Sequence, residues 1–204
     1  MVLINYINRV YNFWNNYYIF VSLIYKCIIM KDFHQLLLNR RSIRKYTDQE
    51  LNADDVKLIL EAALVSPSSK STMGWEFIVV EERDDLERLS LCKEHGARPI
   101  AGCKLAIVVA ADTTKSDVWV EDASIASVIM QLQASDLGIG SCWIQVRERF
   151  TQDGVSSEEY VREMFGIPEH YGILSVITFG YKDEERKPYD PEKTQWEKVH
   201  IGKW

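Results

Sequence analysis

The chain has 204 residues, 47% of them apolar and 26% charged, with a formal net charge of −6 and a pI near 5.3. That length suits one domain with an ordinary core, and the acidic balance argues against a nucleic-acid-binding surface. Cys27, Cys92, Cys103 and Cys142 form no C-x-x-C pair, and His34, His95, His170 and His200 have no ligand spacing, so neither a zinc site nor a disulfide framework is expected.

The first thirty residues differ from the rest. They contain no acid, Gly, Pro or Ala, and their charges are Arg9 and Lys26, leaving −8 on the remainder. The apolar run from Tyr17 to Tyr25 is shorter than the roughly 20 residues a membrane-spanning helix takes, and no small-residue cleavage site follows it. The Asn, Tyr and Ile bias is what AT-rich DNA encodes when read through. Residues 1–29 are therefore expected to be an upstream extension, with a membrane or export targeting segment or a genuine structured arm as the alternatives, and residues 30–204 the functional domain.

From Lys31 the elements follow in order. "KDFHQLLLNRR" places Phe33, Leu36 and Leu37 at helical spacing. Asn52 is a helix N-cap, followed by the stripe Val56, Ile59, Leu60, Ala63 and Leu64; Pro67 ends that helix by disfavouring a helical Ser66. "EFIVVE" (76–81) predicts a strand, and "DDLERLSLCKEHG" a surface helix closed by Gly96. "KLAIVVAAD" (104–112) is apolar throughout, which predicts a central strand covered on both faces. Residues 120–138 predict a long helix stopped by Gly138. Its apolar positions Ile125, Val128, Ile129 and Leu132 exceed one core-facing stripe. "GSCWIQV" (140–146) and "ILSVITFGY" (173–181) predict strands, with the helix "SSEEYVREMFG" between them. The tail from Lys182 is polar and is expected to lie extended over a surface. The sum is a three-layer α+β domain with one sheet of four or five strands.

"RRSIRKY" is the segment that asks for a ligand. Arg40, Arg41, Arg44 and Lys45 repel one another inside an acidic chain, and arginine clusters match phosphates and carboxylates. A solvated basic turn is the competing explanation. Ser42, Ser68 and Ser69 add hydroxyls suited to phosphate or polyol oxygens. The chain has no Walker A loop, G-x-G-x-x-G, G-x-S-x-G or H-E-x-x-H.

The ordered set "RRSIRKY", "AALVSPSSKSTMGWEFIVV", "ASIASVIMQLQASDLGIGSCWI" and "VITFGYKDEERKPY" resembles the FMN-dependent nitroreductase family from about residue 31 onward. The resemblance implies an α+β fold with a mostly antiparallel sheet covered by helices. It also implies an intertwined homodimer with two FMN sites at the subunit interface. It implies hydride transfer from NADH or NADPH to nitroaromatics, quinones or related acceptors, in a cytoplasmic protein with ping-pong kinetics. Arg40, Arg41, Ser42 and Arg44 would hold the flavin, Arg44 at its N1 edge. Pro67, Ser68, Ser69 and Ser71 would come from the partner subunit. The backbone of Trp143, Ile144, Gln145 and Val146 would lie beside N5, and Arg186, with Lys187 next to it, would meet the phosphate. Two departures stand out: Ser71 where many members carry Asn, and Val146 where many carry Gly. Trp75 and Trp143 read as core aromatics ahead of flavin-stacking residues. A specialised relative performing reductive dehalogenation or flavin breakdown, and a non-catalytic flavin carrier, are the alternatives. The chain leaves little length for a lid, so an open pocket is expected.

Overall fold

The computed structural model describes residues 33–204. The expectation for residues 1–29 lies outside them. The helices are α1 (Phe33–Asn39), α2 (Ala53–Leu64), α3 (Arg83–Leu89), α4 (Arg98–Gly102), α5 (Trp119–Asp136) and α6 (Ser157–Phe165). The strands are β1 (Trp75–Val80), β2 (Leu105–Asp112), β3 (Gly140–Gln145) and β4 (Tyr171–Gly180), in the order β1-β2-β4-β3, and every ladder is antiparallel. No helix among the described residues is long and apolar enough to cross a membrane.

β2 has a neighbour on each side and all eight of its residues are buried, as its unbroken apolar run predicts. One face of the sheet meets α2 and α5 through Ile59, Ala63, Ala123, Met130 and Ala134. The other meets α3, α4 and α6 through Leu86, Leu89, Ile100 and Val161. Burying a side chain such as Ile59 is worth about 1.5–3 kcal/mol. These contacts, more than local propensity, hold the short helices in place.

Helix ends follow their chemistry. Asn52 Oδ1 accepts the Asp54 N–H at 2.8 Å, capping α2, and Gly166 closes α6 at φ +64°. The helix expected to run to Gly96 stops at Leu89. Leu91 and Cys92 donate back three residues, to Arg88 and Leu89. This tighter turn carries Cys92 into the core beside Leu86 and Leu89, and α4, not evident from the sequence, follows the reversal at Gly96.

The tail meets its expectation only in part. Residues 187–204 are all exposed and include only the single turns Pro191–Lys193 and Trp196–Lys198. Trp196, Val199, Ile201 and Trp204 stand open to solvent. Residues 182–189 do lie along the domain, with Asp183 N–H on Lys45 O and Tyr189 N–H on Leu38 O, so the expectation holds for the first part of the tail and not for residues 190–204.

Candidate active site

After α1 the chain turns extended and runs along one end of the sheet. Ile43 N–H donates to Ser141 O and Thr47 N–H to Tyr181 O, both at 2.9 Å, while Asp183 N–H donates to Lys45 O at 3.0 Å. Ile43 and Tyr46 point inward; Arg44 and Lys45 point out. Two glycines make this seat possible. A Cβ on Gly140 would lie 2.9 Å from Ile43 Cβ, and one on Gly180 would lie 2.8 Å from the Tyr46 ring. The Tyr46 hydroxyl donates to Ile43 O at 2.5 Å and shares a 2.7 Å bond with Thr178 Oγ1. Burial raises the Tyr46 pKa, so the phenol stays neutral.

The outward side chains converge. Arg40, Arg41, Ser42, Arg44 and Arg186, with Leu37 and Tyr189, line a pocket of about 400 Å³. Arg40, Arg41 and Arg44 form no ion pair among the described residues, whereas Arg186 pairs with Glu184 Oε2 at 2.7 Å. Glu184 Oε1 also accepts the Arg44 N–H at 2.5 Å. That backbone bond, helped by Arg186, holds the carboxyl below its usual range. Keeping unpaired guanidiniums around one pocket is unfavourable without an anion, and their planar donor forks suit phosphate oxygens. Lys187 is exposed and lies outside the lining.

The serine loop follows α2. Pro67 and Ser71 are exposed; Ser68 and Ser69 are half-buried. Lys70, Ser71 and Met73 hold φ at +51°, +54° and +45°, a region that costs residues other than glycine on the order of 1–3 kcal/mol each. Ser68 Oγ accepts the Met73 N–H at 2.9 Å, which leaves its own proton free to donate. Ser69 N–H donates to Asp122 Oδ1 at 2.7 Å.

β3 carries the third segment. Ile144 and Val146 are buried toward the α6 side, and Val146 and Arg147 both donate to Leu174 O at 3.1 Å. Val146 thus spends its side chain in the core, so the valine need not occlude a ligand. Trp143 is half-buried against the α2–α5 side, with its indole N–H on Gln145 Oε1 at 2.9 Å, and Trp75 is buried. Both tryptophans are core residues in the single chain.

The segments lie at different ends of the sheet. The arginine turn sits by Gly140 and Gly180; the serine loop leads into Gly74, whose carbonyl accepts the Asp112 N–H opposite Tyr171. Between these ends run the ten residues of β4, about 30 Å of strand. One chain therefore brings Arg40, Arg41, Ser42, Arg44 and Arg186 together, but not Pro67, Ser68, Ser69 or Ser71 with them. Sequence reasoning missed Glu184, Tyr189 and Asp122. The acids set between Lys182 and Arg186 in "KDEER" were the available signal for the first. Asp122, inside a helix pattern, offered none. Among the described residues no cluster of His, Cys, Asp or Glu is arranged to hold a metal ion.

An antiparallel sheet between two helical layers, with an arginine-lined pocket at one end, defines an α+β domain. Residues 37–181 match the model of the nitroreductase family, and the chain belongs to that family. It is 34% identical over 180 residues to an Archaeoglobus fulgidus protein provisionally named an NADH dehydrogenase/NAD(P)H nitroreductase, covering 86% of this chain and 100% of that one. A Methanothermobacter thermautotrophicus protein with the same provisional name is 36% identical over 179 residues, covering 85% and 88%. The solved structure of an FMN-dependent nitroreductase from Clostridium difficile R20291 aligns with a TM-score of 0.82 at 46% identity, covering 83% of this chain and 99% of that one.

Proposed function

We propose that this chain is an FMN-dependent oxidoreductase. It passes hydride from NADH or NADPH to nitroaromatic, quinone or similar acceptors by a ping-pong mechanism, as a cytoplasmic homodimer. The observation that carries this is the pocket lined by four arginines, three of them without an ion pair among the described residues, which has the charge and the donors a flavin phosphate needs. The family and the names of the relatives supply the flavin and the nicotinamide donor.

Bound FMN supplies an isoalloxazine that takes up two electrons with a proton and gives them on. The protein's work is to hold and tune it. Arg40, Ser42 and Arg186 are assigned to the phosphate and ribityl oxygens. Arg44 is assigned to the ring edge, where a fixed cation offsets the negative charge left by reduction. The backbone from Trp143 to Val146 is assigned to the ring's N5 side.

The roughly 30 Å of strand between the arginine turn and the serine loop favours a site made by two chains. Ser68 and Ser69 of one chain would meet the arginine pocket of the other. The exposed apolar tail, and Ile125 and Val128 on the outer side of α5, support pairing.

The test is direct. Purified protein should be yellow with non-covalent FMN. Anaerobic stopped-flow with NADH or NADPH should bleach the flavin, and a quinone should restore the colour. Steady-state plots should be parallel. Colourless protein that takes up no FMN would overturn the proposal; bound flavin that neither donor bleaches would make the protein a carrier.

A further inference from the structure

Asp122 sits in the first turns of α5 with only 4% of its surface exposed. Its Oδ1 accepts Ser69 N–H at 2.7 Å and its Oδ2 accepts the Ser116 hydroxyl at 3.2 Å. Ser116 Oγ in turn accepts the Val118 N–H at 3.3 Å, at the entry to the helix. One buried carboxylate therefore joins the serine loop, the connection after β2 and α5.

The serine loop needs such a tie. Lys70, Ser71 and Met73 all hold positive φ without being glycine, and a loop of that shape persists only where its surroundings dictate it. The other hydrogen bonds within residues 67–73 are internal: Ser71 N–H to Ser68 O, Thr72 N–H to Ser69 O, and Met73 N–H to Ser68 Oγ. Among the described residues, the bond from Ser69 N–H to Asp122 is the one that leaves this segment for another element. It is charge-assisted and buried, so its loss strands both a donor and a carboxylate.

We infer that Asp122 is a positioning residue: by holding Ser69 N–H it sets Ser68 and Ser69 at the pose in which they complete the flavin site of the opposite subunit. The inference rests on the shared-site reading above. Asp122 touches no flavin in this scheme; it acts through the loop.

The test is a subunit-mixing experiment with FMN as the probe. Arg44→Ala mixed with Ser68/Ser69 double-alanine chains is the control, and recovery of activity there reports a shared site. Asp122→Ala should then recover with Arg44→Ala but not with the Ser68/Ser69 variant, because both lesions disable the same loop. Recovery with the Ser68/Ser69 variant, or none with Arg44→Ala in proven heterodimers, would overturn the inference. Alone, Asp122→Ala should weaken FMN binding about ten-fold, and Asp122→Asn, which keeps an acceptor for Ser69 N–H, should restore most of it. Ser69→Pro removes the donor from the other side, and Ser68 already has the extended backbone required before proline (ψ 158°). It should mimic Asp122→Ala, whereas Ser69→Ala, which keeps the N–H, should do less harm. If the control pair fails, the shared site fails with it. The tie is then judged by amide exchange over residues 67–74: faster exchange in Asp122→Ala and Ser69→Pro supports it, and unchanged exchange overturns it.

Discussion

Glu184 accepts both the Arg44 N–H and the Arg186 guanidinium, while Arg40, Arg41 and Arg44 form no ion pair among the described residues. Its lowered pKa makes its contribution depend on acid. Stability from a carboxyl depressed in the folded state is fully present above the unfolded value, here near 4.5, and is lost as pH falls through the folded one. Glu184→Gln keeps an acceptor for Arg44 N–H but no charge. The melting temperature gap between wild type and Glu184→Gln should be widest above the unfolded value of 4.5 and narrow as pH falls below it; a gap independent of pH would deny the carboxylate this role. Arg44→Ala tests the cation itself. Loss of one charge-assisted contact costs about 1.5–3 kcal/mol, so FMN should bind at least about ten-fold more weakly. The flavin potential should fall as well, read by redox titration. The clustering of Arg40, Arg41 and Arg44 was legible because cations crowd there without neighbouring acids, whereas Arg186, set among acids, was indicated only by the family resemblance. Glu184 was not, since its role depends on a fold that brings residues 140 apart into contact.

The element that positions the site is the extended segment 42–47, and its seat depends on what is missing from the sheet. Ile43 and Tyr46 lie over Gly140 and Gly180, where a Cβ would come within 3 Å of their side chains. Gly180→Ala should force Tyr46 away from Thr178, costing about 1–3 kcal/mol by overpacking. FMN affinity should drop with it, because the arginines ride on the same segment. Denaturant melts and FMN titration of the one variant check both; a lost melting temperature with unchanged FMN affinity would separate the segment from the site. Elements with a strong period or cap were legible: α2 from Asn52, β2 from its apolar run, α6 from Gly166. The segment 42–47 and α4 were not, because neither has a period. Their conformation comes from tertiary contacts: the ladder with Ser141 and Tyr181, and the burial of Ile100. The expected helix end at Gly96 failed for the same reason, with burial of Cys92 overriding the C-cap signal.

At the scale of the molecule, the domain exposes apolar surface that a lone soluble chain has little reason to carry. Ile125 and Val128 are 40% and 46% exposed on α5, and Trp196, Ile201 and Trp204 in the tail are at least 73% exposed. Exposed apolar side chains on α5 and the tail, on a chain whose candidate site is split between two ends of its sheet, fit the proposed pairing with a second copy. An obligate interface of that kind buries more than about 2,000 Å². The excess apolar positions of α5 were legible from periodicity, whereas the tail, polar on average, hid its apolar residues. Val128→Glu places a charge in the proposed contact without touching the core. Removing residues 191–204 takes away the exposed tail but leaves Tyr189 in the arginine pocket. Both variants should shift the protein from dimer toward monomer in sedimentation, and FMN should be lost in proportion. The proposed pairing and shared site would link folding, dimerisation and flavin binding, so the melting temperature of the wild type should rise with both protein and FMN concentration. A monomeric Val128→Glu chain that keeps FMN at wild-type affinity would place the whole site within one chain, and the sheet would then have to bring its two ends together by a route that this fold does not provide.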